Sequence, residues 1–123
     1  MRIYLICPVR NCPVELSRFA DDYVRRLEAS GAEVHYPPRD VDQTDDGIGL
    51  AISQAHRVAM TECDEVHVIW DPTSFGSHFD FGMAFMLQAW RDVPIVLASP
   101  VEETPHKSYG NKLATIAAES RLT

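Results

Sequence analysis

Near its start the chain carries an uninterrupted apolar run, Ile3-Tyr4-Leu5-Ile6, within residues 2–7. A short run without polar alternation is the pattern of a strand covered on both faces, as in parallel sheets. Over 15–30 the period changes: Leu16, Phe19, Ala20, Tyr23, Val24 and Leu27 recur every three or four residues. That spacing predicts an amphipathic helix, with Gly31 as its stop. Residues 33–36 read as a short second strand, and 37–46 as a polar, proline-led loop. A second helix over 48–63 aligns Ile52, His56, Ala59 and Cys63 along one face. Strands at 65–70 and 94–99 then alternate with helices at 77–90 and 108–121.

Strict alternation of strand and helix predicts an α/β fold. The expected architecture is one doubly wound, flavodoxin- or Rossmann-like domain over residues 1–123. Its parallel sheet would have four to five strands in the order 2-1-3-4, with right-handed crossovers and helices on both faces. Neither an internal repeat nor a linker interrupts the pattern.

Composition narrows the function classes. A formal net charge of −7 removes the electrostatic footprint expected of a protein that grips duplex nucleic acid. No apolar run approaches the length of a membrane span, and no leader is visible at the start, so a cytoplasmic location is expected. The three cysteines, Cys7, Cys12 and Cys63, show no C-x-x-C spacing and read as reduced thiols. The five histidines have no ligand spacing with them, so no metal is expected. The loop after the first strand is Cys7-Pro8-Val9-Arg10-Asn11-Cys12-Pro13, without a glycine. It is neither a dinucleotide fingerprint nor a P-loop, and no cofactor is expected.

The segment 66–84 holds the candidate chemistry. An apolar strand runs into Asp71, then a small-residue loop, then a helix that carries Asp80. In an open α/β sheet this sets two carboxylates at the carboxyl end of a strand, where ligands bind. Paired carboxylates are the usual equipment for cleaving a glycosidic bond. Each residue also has a plainer reading. Ser77-x-x-Asp80 has capping-box spacing, with Ser77 as N-cap. Asp71-Pro72 is a turn signal. Tyr4 fits a core aromatic, Arg10 a solvated loop arginine and His56 a core histidine. His78 is either a surface residue at a helix start or a contact to a leaving group. Arg39, Asp40, Asp42, Gln43, Asp45 and Asp46 form either a solvated acidic loop or a lid over a base.

The stretches IYLICPVR and YPPRD and the segment D-x-x-S-x-G-S-H-F-D-F-G-M-A resemble the nucleoside 2-deoxyribosyltransferase family. The resemblance includes relatives that hydrolyse the N-glycosidic bond of deoxynucleoside monophosphates. Members use a glutamate nucleophile in an E-L-G-x-A motif, where this chain has Asp80-Phe81-Gly82-Met83-Ala84. The resemblance implies that Asp80 attacks the anomeric carbon to form a covalent glycosyl-enzyme, which water or a second base resolves with retention. It implies that Asp71 contacts or protonates the departing base and that Tyr4 donates to the nucleophile. Ser74, Gly76 and Ser77 would line the sugar side, and Ser74 with Arg10 would receive a 5′-phosphate. Asn111 is the candidate for completing a neighbouring subunit's site, in a homodimer or higher homo-oligomer. Two departures stand out: the nucleophile is one methylene shorter, and His56, a candidate to bind a phosphate or base, stands where relatives have an acid. They motivate the alternative of a catalytically silent nucleotide-binding module, a sensor or regulatory domain.

Overall fold

The unbroken apolar run at the start forms strand β1 (Arg2–Ile6), and the helical repeat that follows forms α1 (Val14–Ala29). A computed structural model describes residues 1–44 and 47–120 of the chain. The remaining elements are β2 (Glu33–His35), α2 (Pro37–Asp40), α3 (Leu50–Thr61), β3 (Glu65–Val68), α4 (Phe75–Arg91), β4 (Ile95–Leu97) and α5 (Tyr109–Ser120). Among the described residues the four strands make one sheet in the order β2-β1-β3-β4, every pairing parallel. Asp45 and Asp46 of the expected loop, and residue 121 at the expected end of the last helix, lie outside the described residues.

Both faces of the sheet are covered, which explains why β1 and β4 carry apolar runs without alternation. Ile3, Leu5, Val34 and Ile69 pack with Ala20 and Val24 of α1. Tyr4, Ile6, Val66, Val68 and Ile95 pack with Met60 of α3, with Phe81, Ala84 and Leu87 of α4, and with Leu113 of α5. His67, a buried polar residue of β3, satisfies both ring nitrogens, through Tyr23 Oη and through Glu65 Oε1 at 2.9 Å. Gly31 takes φ +98° just past α1, a left-handed conformation that glycine adopts without strain. No helix among the described residues is long and apolar enough to cross a membrane.

Two local expectations need correction. The stretch after the second strand is not loop from its first residue, because Pro37–Asp40 winds into the single helical turn α2. Proline at the first helical position has its φ preset, and the Asp40 carboxylate accepts from the Tyr36 amide at 2.8 Å. The helix expected from residue 77 begins two residues earlier, at Phe75, which changes the role of Ser77.

All three cysteines are free thiols. Burial pushes the Cys7 thiol up to about 12 and the Cys63 thiol up to about 11; partial burial raises Cys12 as well but leaves it half-exposed. The thiolate is the reactive form and needs access, so thiols that are both raised and buried stay inert at mildly alkaline pH. At pH 8 a thiol-specific reagent is therefore expected to modify Cys12 alone in the folded protein, and all three cysteines in denaturant. Rapid modification of Cys7 or Cys63 in the native state would contradict this packing.

Candidate active site

The buried side chains of α4 are Ser77, Asp80, Phe81, Ala84 and Leu87, one helical stripe turned toward the sheet. Asp80 is thus a carboxylate on the core-facing side of its helix, only 6% exposed. A charge in such a place must be hydrogen-bonded or paired. Two other elements supply its partners. Tyr4 Oη, reaching from the central strand β1, donates to Asp80 Oδ2 at 2.8 Å. His56 Nδ1, from α3, lies 3.3 Å from the same oxygen. Oδ1 has no hydrogen-bond partner among the described residues and is not among the sealed polar atoms.

Burial favours the neutral forms of two rings beside this carboxylate. Burial, and then the adjacent Asp80 charge, hold the Tyr4 hydroxyl far above its ordinary range, so it remains a donor. His35 of β2, in register with Tyr4, stacks on the Tyr4 ring with centroids 5.1 Å apart. Burial lowers its pKa and favours the neutral ring. His56 packs edge-on to both rings, at 6.1 Å from Tyr4 and 6.3 Å from His35. His35 was not among the candidates drawn from sequence. A strand alignment pairing Tyr4 with residue 35 would have pointed to it, but the sequence carries no register.

The turn before α4 resolves the capping question. Ser74 is the N-cap: its Oγ accepts from the Ser77 amide at 3.2 Å. Its carbonyl also accepts from His78, through the backbone amide at 3.3 Å and through ring Nδ1 at 2.7 Å. Ser77 is accordingly not the cap. Its hydroxyl is sealed and without a partner, and Asp80 lies too far into the helix to close a capping box. Asp71 serves the turn, its Oδ1 accepting from the Thr73 amide at 2.9 Å and hydroxyl at 2.7 Å.

The other candidates fall into separate places. Arg10 is exposed and has no ion-pair partner among the described residues. Gly76 is exposed in the first turn of α4, with open space where a Cβ would stand. His78 sits between Trp70, at 4.6 Å, and Tyr109, at 5.3 Å. Neither aromatic was singled out from sequence. Arg39 is committed locally, to Glu28 at 2.9 Å, Asp40 at 2.8 Å and the Val34 carbonyl at 3.0 Å. Asn111 staples the turn before α5, bonding the Thr104 amide at 3.0 Å and carbonyl at 2.8 Å. A groove of about 650 Å³ runs between α4 and α5, past His78, Phe81, Phe85 and Tyr109, but Asp80 is not in its wall. No group of three or more histidine, cysteine or acidic side chains among the described residues is placed to hold a metal ion.

No family model matches the chain, and no curated protein matches it in sequence. Among solved structures, the 2-deoxyribosyltransferase of the psychrotolerant bacterium Bacillus psychrosaccharolyticus aligns with a TM-score of 0.68. The alignment covers 93% of this chain and 90% of that one at 16% sequence identity. That enzyme is described as a biocatalyst for the synthesis of antiviral and antitumoral nucleosides. The chain has its fold.

The capping assignment makes a paired prediction. Ser74→Ala should lower stability by about 1 kcal/mol, the usual value of an N-cap hydroxyl. Ser77→Ala removes a buried hydroxyl that bonds nothing and should be neutral or slightly stabilising. Urea denaturation of the two variants checks this, and the reverse order would return the cap to Ser77.

Proposed function

We propose that this protein belongs with the nucleoside 2-deoxyribosyltransferases and cleaves or exchanges the N-glycosidic bond of a nucleoside or its 5′-monophosphate. The observation that carries the reading is the Asp80 carboxylate, with one oxygen held by Tyr4 and no hydrogen bond to the other among the described residues. The shared fold supports it, but a fold hosts many chemistries, so the argument rests on the site.

In the proposed mechanism Asp80 Oδ1 attacks the anomeric carbon. A carbon–oxygen bond forms as the carbon–nitrogen bond breaks, and the base leaves with that electron pair and takes up a proton. Asp71 is the proposed contact or proton source for the departing base, through the oxygen that Thr73 does not occupy. Water then adds to the anomeric carbon, loses a proton and frees Asp80; alternatively the nitrogen of a second base does so. Either course retains configuration. Tyr4 steadies the nucleophile as a hydrogen-bond donor. Arg10, Ser74 and the exposed first turn of α4 at Gly76 are the proposed reception for a 5′-phosphate, since the first amides of a helix attract anions. The exposed aromatics of α4, Phe75 at 89% and Trp90 at 84%, support a homo-oligomer.

A second reading, a nucleotide-binding module without turnover, draws on the 6% exposure of Asp80 and on its shorter side chain. Incubation with a panel of ribo- and deoxynucleosides and their 5′-monophosphates, with and without a competing base, separates the two readings. Chromatography should detect free base from the wild type. Asp80→Ala should reduce its release by at least about a thousandfold, as loss of a nucleophile does. Tyr4→Phe should lower the rate about ten- to a hundredfold, the range for a hydrogen bond to a charged group. Binding without any base release from the wild type would establish the module instead.

A further inference from the structure

The side of α4 turned away from the sheet is as apolar as the side turned toward it. Opposite the buried stripe, helical spacing aligns Phe75, Phe79, Gly82, Met86 and Trp90, with Phe85 beside them. Their large side chains are between 55% and 89% exposed. Asp80 is the one charged residue from 75 to 90, and it lies on the buried side. A helix that is apolar all round is a buried helix. Taking about 150–250 Å² for a whole aromatic side chain, the five large residues leave roughly 700–800 Å² of apolar surface open. The largest apolar patch on a typical monomer is about 300–600 Å². A stable interface takes about 800 Å² from each partner.

We infer that α4 is the seam of a two-fold dimer, in which it packs antiparallel on α4 of a second copy of this chain, with Gly82 at the crossing. The order of residues in the stripe singles out this occupant. Phe75 and Trp90 lie equally far from the midpoint between Gly82 and Met83, and so do Phe79 and Met86. A two-fold axis at that point sets Phe75 against the partner's Trp90 and Phe79 against the partner's Met86. Each contact is then made twice, as an isologous interface requires. Within the stripe only Gly82 lacks a side chain, and a Cβ placed there would meet nothing within 4 Å. The chain's own packing therefore has no need of glycine at 82, whereas two crossing helices gain from it a close approach of their backbones. Hollows flank the stripe, about 200 Å³ toward Met60 of α3 and about 650 Å³ toward Tyr109 of α5. A ridge beside grooves is the relief on which a second helix packs. A membrane surface fits less well, because α4 has no basic residue before Arg91 and the chain carries a net charge of −7. The pairing rests on the homo-oligomer reading and not on turnover at Asp80. It sets the partner's Trp90 beside the turn at Ser74, at the rim of the proposed phosphate reception.

Sedimentation equilibrium of the wild type, without substrate, should give a dimer or a larger assembly that contains one. Gly82→Lys leaves the packing within the chain untouched but brings two ammonium groups together near the axis. It should weaken the pairing at least about a hundredfold with the circular dichroism spectrum unchanged, and should halve the mass of a larger assembly. A monomeric wild type would overturn the pairing together with the homo-oligomer reading. A Gly82→Lys protein as associated as the wild type would overturn the pairing alone. Cross-linking reads the register, in a Cys12→Ser background. Phe79→Cys combined with Met86→Cys should give a covalent dimer on oxidation, and neither substitution alone should, because two thiols join only where their Cα atoms lie within about 7 Å. A covalent dimer from Phe79→Cys alone would overturn the antiparallel register. If the Gly82→Lys protein does not fold as a monomer, the cross-links still decide the matter.

Discussion

The Asp80 carboxylate sits on the apolar face of a helix, and a charge so placed is tolerated only where donors meet it. Tyr4 of β1 donates to it and His56 of α3 lies 3.3 Å from the same oxygen, so three elements converge there. Tyr4 can do so because β1 is a central strand, paired with β2 on one side and β3 on the other. Its ring is held further by His35 from the neighbouring strand. The sheet order, the packing of α3 and α4 and the geometry of the candidate nucleophile are consequences of one another.

The first turn of α4 shows how local chemistry frees a residue for other work. Ser74 satisfies the helix start with its own hydroxyl, and Asp71 closes the preceding turn with Thr73. Asp80, one turn further in, is left with no local backbone duty among its contacts and bonds only to distant elements. A carboxylate released from capping and held by residues far away in sequence is the arrangement expected of a site rather than of a helix end.

A shared fold at 16% identity leaves most surface and loop positions free to differ. What such a fold carries over is a sheet with a crevice beyond its carboxyl ends.

Continuous apolar runs and the period-3.6 pattern rest on which faces are buried, so the four strands, the long helices and the parallel order 2-1-3-4 were legible in the residues themselves. Asp80 and Tyr4 stood out because their residue types and flanking pattern matched a known chemistry. The short turn at Pro37–Asp40 and the cap at Ser74 were harder, since both depend on side-chain bonds that more than one local conformation can make. His35 could not be found, and nothing in the sequence set His56 beside Asp80. Tyr4 and Asp80 are 76 positions apart in the chain, and nothing local encodes which atoms then converge. Sequence by itself determined where the chain is apolar and with what period, because burial acts on each element separately. Only the tertiary structure decided which oxygen of Asp80 is held and which is open, because that depends on distances between elements set by packing.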